Sequence, residues 1–425
     1  MRSDSDRIEG ALPRPPPETD AAQESRGAWL LALGASLIYV STWGLLSSYG
    51  TYQSYYETTL LADESTNAIA WIGTAEALLL ILGGVVTGPI YDAGYVREML
   101  WVGSLLTVLG VMMLSLSTEY YQIMLAQGVA VGIGSGIVYP PSITLVAATF
   151  GSKYRGLAVS FATCGTAIGG IMFPIVLDRL LPSLGFAWAT RVLGLMTLAG
   201  LFMGLALILP RIPETKSESA TAARRRLVDL GALTEPVFVV MCLGVFFLWI
   251  AYWVPFFLIP TYAEFGLGAS SSLAFCLLVV ANASGIPGRF LAVLVIPYVG
   301  NAGGMVAFGG LSAVVIFGWA AVHNTAGFIA WSVALGLVLA PLAVFQPTIV
   351  PQLTPRGGAV GTRMGMSLAS AGLGVLVGVP ASTALINTKT GEFWKMQVFI
   401  GTCMVVGTLL PAFVWWRLWR PGVHA

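Results

Sequence analysis

Apolar residues run along the chain in twelve stretches, each close to the length of a membrane-crossing helix and each closed off by a short polar or charged segment. The first six cover residues 29–50, 69–91, 100–116, 123–150, 157–181 and 192–209. The second six cover 237–261, 273–297, 305–322, 328–350, 360–386 and 398–416. A hydrocarbon core about 30 Å thick takes about 20 helical residues to cross. In lipid a chain must satisfy its own backbone hydrogen bonds, which favours helices. The short alternating segments of a membrane barrel are missing from the pattern. The expected fold is an all-α membrane protein of twelve transmembrane helices.

The longest polar interruption, 210–236, falls near the middle and divides the chain into a six-helix half at 28–209 and another at 237–419. Tails at 1–27 and 420–425 flank them, the first rich in proline (Pro13, Pro15, Pro16, Pro17) and expected to be disordered. The run Arg224, Arg225, Arg226 with Leu227, Leu230 and Leu233 reads either as a short interfacial helix on an anionic leaflet or as a solvated tether. The halves look weakly repeated: Arg155-Gly-Leu-Ala-Val returns as Arg356-Gly-Gly-Ala-Val, and Pro141-Ser-Ile as Pro347-Thr-Ile. Parallel repeats of this kind belong to transporters that hold their solute between the halves near the midplane.

Glycines recur every four residues at Gly128, Gly132 and Gly136, and in the pairs Gly84 and Gly88, Gly165 and Gly169, Gly374 and Gly378. Such spacing lets helix backbones approach closely in lipid. Pro140, Pro141, Pro174, Pro255, Pro287, Pro341 and Pro380 are expected to interrupt their helices and unwind them locally.

Composition agrees with lipid as the solvent: 56% of residues are hydrophobic and 10% charged, against roughly 25% charged in a soluble domain. The net charge of +1 is uninformative, but its distribution is not. Most Lys and Arg fall in the tails and even-numbered loops, so the positive-inside rule puts both termini in the cytoplasm. The first apolar run is full-span length, so no cleavable signal peptide is expected. Cys164, Cys242, Cys276 and Cys403 lie inside spans and suggest no disulfide framework or zinc site. There is no Walker sequence and no catalytic cluster, and His323 and His424 lie in a loop and the tail. Enzymatic chemistry, ATP hydrolysis, a cofactor, a metal and a nucleic-acid partner are therefore not expected. Gradient-driven movement of a solute by a monomer, in the plasma membrane, is the natural reading.

At the second and fourth loops the residues become specific. Gly88-Pro-Ile-Tyr-Asp92-Ala-Gly94-Tyr-Val-Arg97 resembles the signature between spans two and three of the major facilitator superfamily. Ser152-Lys-Tyr-Arg-Gly-Leu-Ala-Val-Ser-Phe-Ala-Thr-Cys-Gly165-Thr resembles the fourth-loop motif of its monocarboxylate porter family. Asn282-Ala-Ser-Gly-Ile-Pro-Gly-Arg289 and Gly361-Thr-Arg-Met-Gly-Met366 resemble that family's fungal branch, and the likeness covers about 28–420. It implies alternating access, with Asp92 and Arg97 bracing helix ends as a latch and Arg155 and Arg363 as further gating residues. Fungal members of the family are at times associated with export of specialised metabolites. The chain also departs from the family. The lysine that animal lactate carriers place late in span one aligns with Ser47, their span-eight aspartate with Gly285, and the acid after span eight with Pro297. The proton–lactate mechanism of those carriers is not implied.

Few polar residues lie inside the spans, and they carry the functional argument. An arginine there is costly and should face a cavity or a partner, so Arg289 is a candidate grip for a carboxylate, or else an anchor between helices. Glu76, a carboxylate inside span two, is a candidate proton carrier or a structural acid. Gln127, Asn282 and Gln346 are candidate solute contacts or helix ties. Tyr39, Trp43, Tyr139, Trp249, Tyr252 and Trp253 offer an aromatic wall, although about half of them are expected to face lipid or packing. The leading expectation is a secondary transporter that moves a small carboxylate-bearing anion with a co-transported proton. The alternatives are an exporter of a larger, mostly apolar specialised metabolite and a sensor that binds solute without moving it.

Overall fold

Residues 26–212, 228–355, 358–386 and 392–419 are described by the computed structural model. The tail up to residue 25, the arginine run at 224–226, Arg356 and the tail from 420 lie outside the described residues. The expectations of a disordered tail and of an interfacial helix or tether therefore lie outside them too. Where the chain is apolar it is helical: α1 (Arg26–Ser47), α2 (Thr66–Asp92), α3 (Val96–Leu114), α4 (Gly132–Thr149), α5 (Ser152–Ile208), α6 (Pro236–Tyr252), α7 (Val254–Thr261), α8 (Ser271–Gly318), α9 (Thr325–Leu339), α10 (Leu342–Ile349), α11 (Val360–Ala384) and α12 (Trp394–Trp419). Short segments at Tyr49–Tyr55 and Tyr56–Leu60 carry the first crossing on to residue 60, past the end expected at 50.

Among the described residues, ten continuous helical stretches are long and apolar enough to cross a membrane. Two of them, Lys153–Arg211 with 59 residues and Ser271–Ala321 with 51, are far too long for one crossing at 1.5 Å per residue. Each is broken at one glycine with a left-handed φ, Gly185 (φ 73°) and Gly300 (φ 71°), where a side chain would be strained. The chain reverses at Gly185. An added Cβ on Gly165 would collide with the Ser36 carbonyl oxygen, and one on Gly169 with that of Val40, so this part of α5 ascends with α1. Gly200 and Gly204 meet Ser41 and Gly34 in the opposite order, so the part after Gly185 descends. With each of these two stretches counted as two crossings, the twelve expected crossings are accounted for.

The four-residue glycine rows are contact surfaces, as the spacing predicts. Gly132 and Gly136 of α4 press on the backbones of Glu76 and Leu79 in α2, and Gly374 and Gly378 of α11 press on Phe246 and Ile250 of α6. Lipid-facing side chains complete the pattern: Trp101, Leu105, Leu109 and Met113 form an exposed row down α3. Buried hydroxyls such as Ser41, Thr42 and Thr107 return to carbonyls one turn back in their own helices, which keeps them satisfied away from water.

The prolines depart from expectation. Only Pro255 and Pro341 of that set lie at breaks, between α6 and α7 and between α9 and α10. Pro140, Pro141, Pro174, Pro287 and Pro380 sit within continuous helices. A proline removes one bond from the ladder, and in lipid the rest of the helix has no better alternative than to continue.

Two seams join the helices before the central loop to those after it. Along α2 and α11, Gly84 meets Gly365 and Gly88 meets Gly361. Along α5 and α8, the Ser160 hydroxyl donates to the Arg289 carbonyl at 2.8 Å, and Gly156 lies against Ile296. Both seams run toward the membrane face that carries the start of α1 and the end of α12, the terminal face.

Valine at Gly165 has no room against α1 and is expected to lower stability by about 1–3 kcal/mol, the usual cost of overpacking. The melting temperature of detergent-purified protein reads this out. Gly50→Ala, with nothing within 4 Å of its added carbon, serves as the control and should leave it unchanged; an equal melting temperature for both variants would refute the tight α1–α5 contact.

Candidate functional site

A cavity of about 50 Å³ lies between the two sets of helices. That is about a third of the roughly 150 Å³ of a cavity that takes up benzene. Its walls come from α1 (Tyr39, Trp43), α2 (Ile81), α4 (Tyr139, Ile143) and α5 (Thr163, Thr166) on one side. Trp249 and Tyr252 of α6, Trp253, Arg289 of α8, Gln346 of α10 and Leu368 of α11 form the other. All six aromatic candidates line it and pack on one another, so none faces lipid, where about half were expected to face lipid or packing: the 3.6-residue period of a span does not by itself fix which stripe turns inward.

The aromatic side chains form one connected wall. Tyr39 meets Tyr139 edge-on at 5.1 Å, Tyr139 meets Trp43 at 5.5 Å, and Trp43 lies parallel to Trp253 at 5.0 Å and 7°. Trp253 then meets Tyr252, which stacks on Trp249 at 5.2 Å. Trp253 can take this position because it stands at the break between α6 and α7, two residues before Pro255, which has no amide proton to continue the ladder.

Arg289 is only 4% exposed. Its Nη1 donates to the Gly285 carbonyl at 3.0 Å, and its Nε has no partner. The ion pairs among the described residues involve Arg363 and leave Arg289 without a carboxylate. Glycine at 285, one turn before Arg289, is the local reason: it offers a backbone oxygen and no acid. Gln346 donates from Nε2 to the Ser367 hydroxyl at 3.1 Å, tying α10 to α11 beside the cavity.

The other polar candidates lie elsewhere. Glu76 is fully buried between α2 and α4, and neither carboxyl oxygen has a hydrogen-bond partner. Gln127 accepts from the Tyr56 hydroxyl at 2.7 Å, and the nearby Tyr52 hydroxyl donates to Thr190 at 3.2 Å. Tyr49 donates to the Ile69 carbonyl. These tyrosines come from the helical extension past residue 48 and pack as a second buried cluster, separate from the cavity wall. Asn282 donates to the Leu278 carbonyl of its own helix at 3.0 Å and faces Gly170 of α5.

The gating candidates gather at the terminal face. Asp92, at the end of α2, accepts from the Gly361 amide (2.8 Å), the Thr362 amide (2.7 Å) and the Thr362 hydroxyl (2.7 Å) at the start of α11. A carboxylate there meets unpaired amides and the positive end of the helix dipole. Arg97 donates to the Ile212 carbonyl at 3.0 Å, and Arg155 to the Phe150 carbonyl at 3.1 Å within its own connection. Arg363 is the most heavily bonded. It reaches Asp229 at 3.0 Å, both oxygens of Glu235 at 2.9 and 2.5 Å, and the Leu353 carbonyl at 2.7 Å, while its guanidinium lies over the Phe238 ring. Burial opposes the charge on Asp229, but hydrogen bonds from Arg363 and from the Ala232 and Gly231 amides outweigh it and hold the carboxyl below the usual range. Sequence reasoning missed Asp229 and Glu235. The available signal was their being the two acids between the arginine run and span seven.

The sequence profile described as Major Facilitator Superfamily matches residues 30–325. The chain belongs to the major facilitator superfamily. Its helical fold is also that of solved superfamily structures. The FucP transporter in the outward conformation superposes with a TM-score of 0.71 at 14% identity, covering 90% of this chain and 98% of that one. A bacterial homologue of the iron transporter ferroportin, outward-facing, gives 0.72 at 13%, covering 92% and 99%. Among sequence relatives, the aspyridones efflux protein apdF of Emericella nidulans is 32% identical over 90% of this chain and 76% of its own length. The MFS-type transporter dbaD of the same organism is 32% identical over 90% and 85%, and the MFS transporter asaE of Aspergillus flavus 28% over 96% and 92%. This superfamily member is thus a multi-pass membrane transporter of the MFS type.

Asp92→Ala removes three hydrogen bonds from the α2–α11 seam. It is expected to loosen the seam and raise the rate at which a cysteine at Thr362 reacts with a hydrophilic maleimide. Labelling as slow as in the Thr362→Cys protein that keeps Asp92 would count against the seam's dependence on this carboxylate.

Proposed function

We propose that this transporter exports a ring-bearing, largely apolar metabolite by alternating access. The observation that carries this reading is the convergence of six aromatic side chains on one buried guanidinium that has no carboxylate partner. A small carboxylate needs the cation but not the wall, so the aromatic lining favours the larger solute over the small anion. The 32%-identical relative that is an aspyridones efflux protein points the same way. The likeness of the fourth loop to monocarboxylate porters is then kinship in gating, with a different solute.

In this reading the terminal face is cytoplasmic, as the loop charges suggest, and the membrane is the plasma membrane. Solute enters when the α2–α11 and α5–α8 seams part. Asp92 and Arg363 hold the closed form: Asp92 joins the halves directly, and Arg363 fastens the end of the central loop to α11. Arg97 and Arg155 keep the adjoining helix ends in place. Arg289 takes the solute's acidic group and Gln346 flanks it. Glu76 carries a proton within the first half, away from the solute, with Gln127 and Tyr56 beside it. Asn282 serves the α5–α8 seam.

The deciding measurement is flux in reconstituted vesicles, with ring-bearing acids, small carboxylates and neutral ring compounds in competition, with and without a pH gradient. Preference for small carboxylates would overturn the export reading. Arg289→Ala and Arg289→Lys should each lower flux of a ring-bearing acid about ten- to a hundredfold, the range for losing a charge-assisted hydrogen bond of about 1.5–3 kcal/mol. Unchanged flux removes Arg289 from the site. Glu76→Gln is expected to leave solute binding intact and to abolish the dependence of flux on the pH gradient; a variant that keeps full dependence removes Glu76 from coupling.

A further inference from the structure

We propose that the solute is a planar conjugated ring bearing an acidic oxygen, and that it is carried as the middle layer of a sandwich between Trp43 and Trp253. The inference rests on the export reading and names the chemical class that the cavity would recognise.

Three observations carry it. The two indoles come from opposite halves, Trp43 from α1 and Trp253 from the α6–α7 break, and lie parallel at 5.0 Å and 7°. They are the direct ring-to-ring bridge between the halves at the cavity. The cavity itself, about 50 Å³, has no room for a ring while that stack is closed. Carbon layers pack about 3.5 Å apart, so admitting one flat ring takes a separation of about 7 Å between the indole planes. A parting of a few ångströms between the halves provides this and exchanges one stacking contact for two. A puckered saturated ring is thicker and has no π-face to offer.

The third observation sets the polar chemistry. Among the residues lining the cavity, the buried polar side-chain atoms without a partner are Trp43 Nε1, Trp253 Nε1 and Arg289 Nε. All three are N–H donors, and two of them belong to the stacked indoles. A site with surplus donors selects a ligand with surplus acceptors, because an apolar occupant would leave each donor unpaired. A carboxylate that projects past the indole edges and turns out of the ring plane supplies such acceptors within reach of N–H groups that point along the indole planes, and its negative charge suits Arg289.

The test is equilibrium dialysis of the purified full chain in lipid nanodiscs with three probes: 2-naphthoate, planar and acidic; trans-decalin-2-carboxylate, acidic but saturated; and 2-methylnaphthalene, planar without an acceptor. Saturable binding of 2-naphthoate at least about tenfold tighter than either comparator is expected. Trp43→Phe and Trp253→Phe keep a ring and lose the N–H, so each should weaken 2-naphthoate several-fold while retaining its preference over the decalin acid. Trp43→Leu and Trp253→Leu should abolish that preference. Variants are compared at matched monodispersity and melting temperature, and the Phe pair decides alone where a Leu variant fails to fold. Equal binding of the two acids, no saturable 2-naphthoate binding, or Phe variants that bind as the native protein does would each overturn the sandwich. Vesicle flux of other ring compounds would in those cases still support export, whereas failure of flux for every ring compound removes the export reading itself.

Discussion

Hydrocarbon gives two apolar helices no hydrophobic reason to associate, and that constraint shapes the rest of this structure. What remains is close contact between backbones and the satisfaction of every polar group inside the helix bundle. The glycine rows answer the first need. At Gly84 and Gly365, or Gly88 and Gly361, a single added carbon would press into the facing helix, so the seam between the two sets of helices is held by shape. A seam of that kind, with few side chains interlocked across it, can open without extracting large groups from pockets.

The same constraint explains why the polar residues divide into two populations. Most serve the bundle: hydroxyls return to their own helices, Gln127 meets Tyr56, and Gln346 meets Ser367. Others are left incomplete, at scattered places in the bundle and, in one group, around the cavity. Arg289 and the indoles of Trp43 and Trp253 have donors without acceptors around one small space, and the Glu76 carboxyl is left unbonded in the first half. An incomplete polar group is expensive in lipid, and three donors around one space concentrate that cost at the cavity.

Much of this was legible in the sequence. Span length, the mid-chain break, the glycine spacing and the loop motifs are local, and each depends on residues close together in the chain. Arg289 was legible as a charge where charge is costly. What the sequence left open depends on rotation and on distant partners. Nothing in the spacing of Tyr39, Trp43 and Tyr139 says that all three turn toward Trp249, Tyr252 and Trp253 rather than outward. Gln127 and Asn282 look equivalent to Gln346 along the chain, yet Gln127 is held by Tyr56 and Asn282 lies at the α5–α8 seam, and of the three Gln346 lines the cavity. The acidic partners of Arg363 lie more than a hundred residues upstream in a polar segment, and no periodicity connects them. The breaks between spans five and six and between spans eight and nine were legible as polar gaps, but not that helix continues up to a single glycine at each, Gly185 and Gly300.

Asp92 contacts α11 mainly through main-chain amides, at Gly361 and Thr362. Any residue except proline supplies an amide, but a side chain at 361 would run into the Gly88 carbonyl and the Asp92 carboxylate, so the contact demands glycine there and little of the positions farther along α11. The end of α2 thus reads the start of α11 by its main chain and by the want of a side chain at 361, a fit that most substitutions farther along that helix leave untouched.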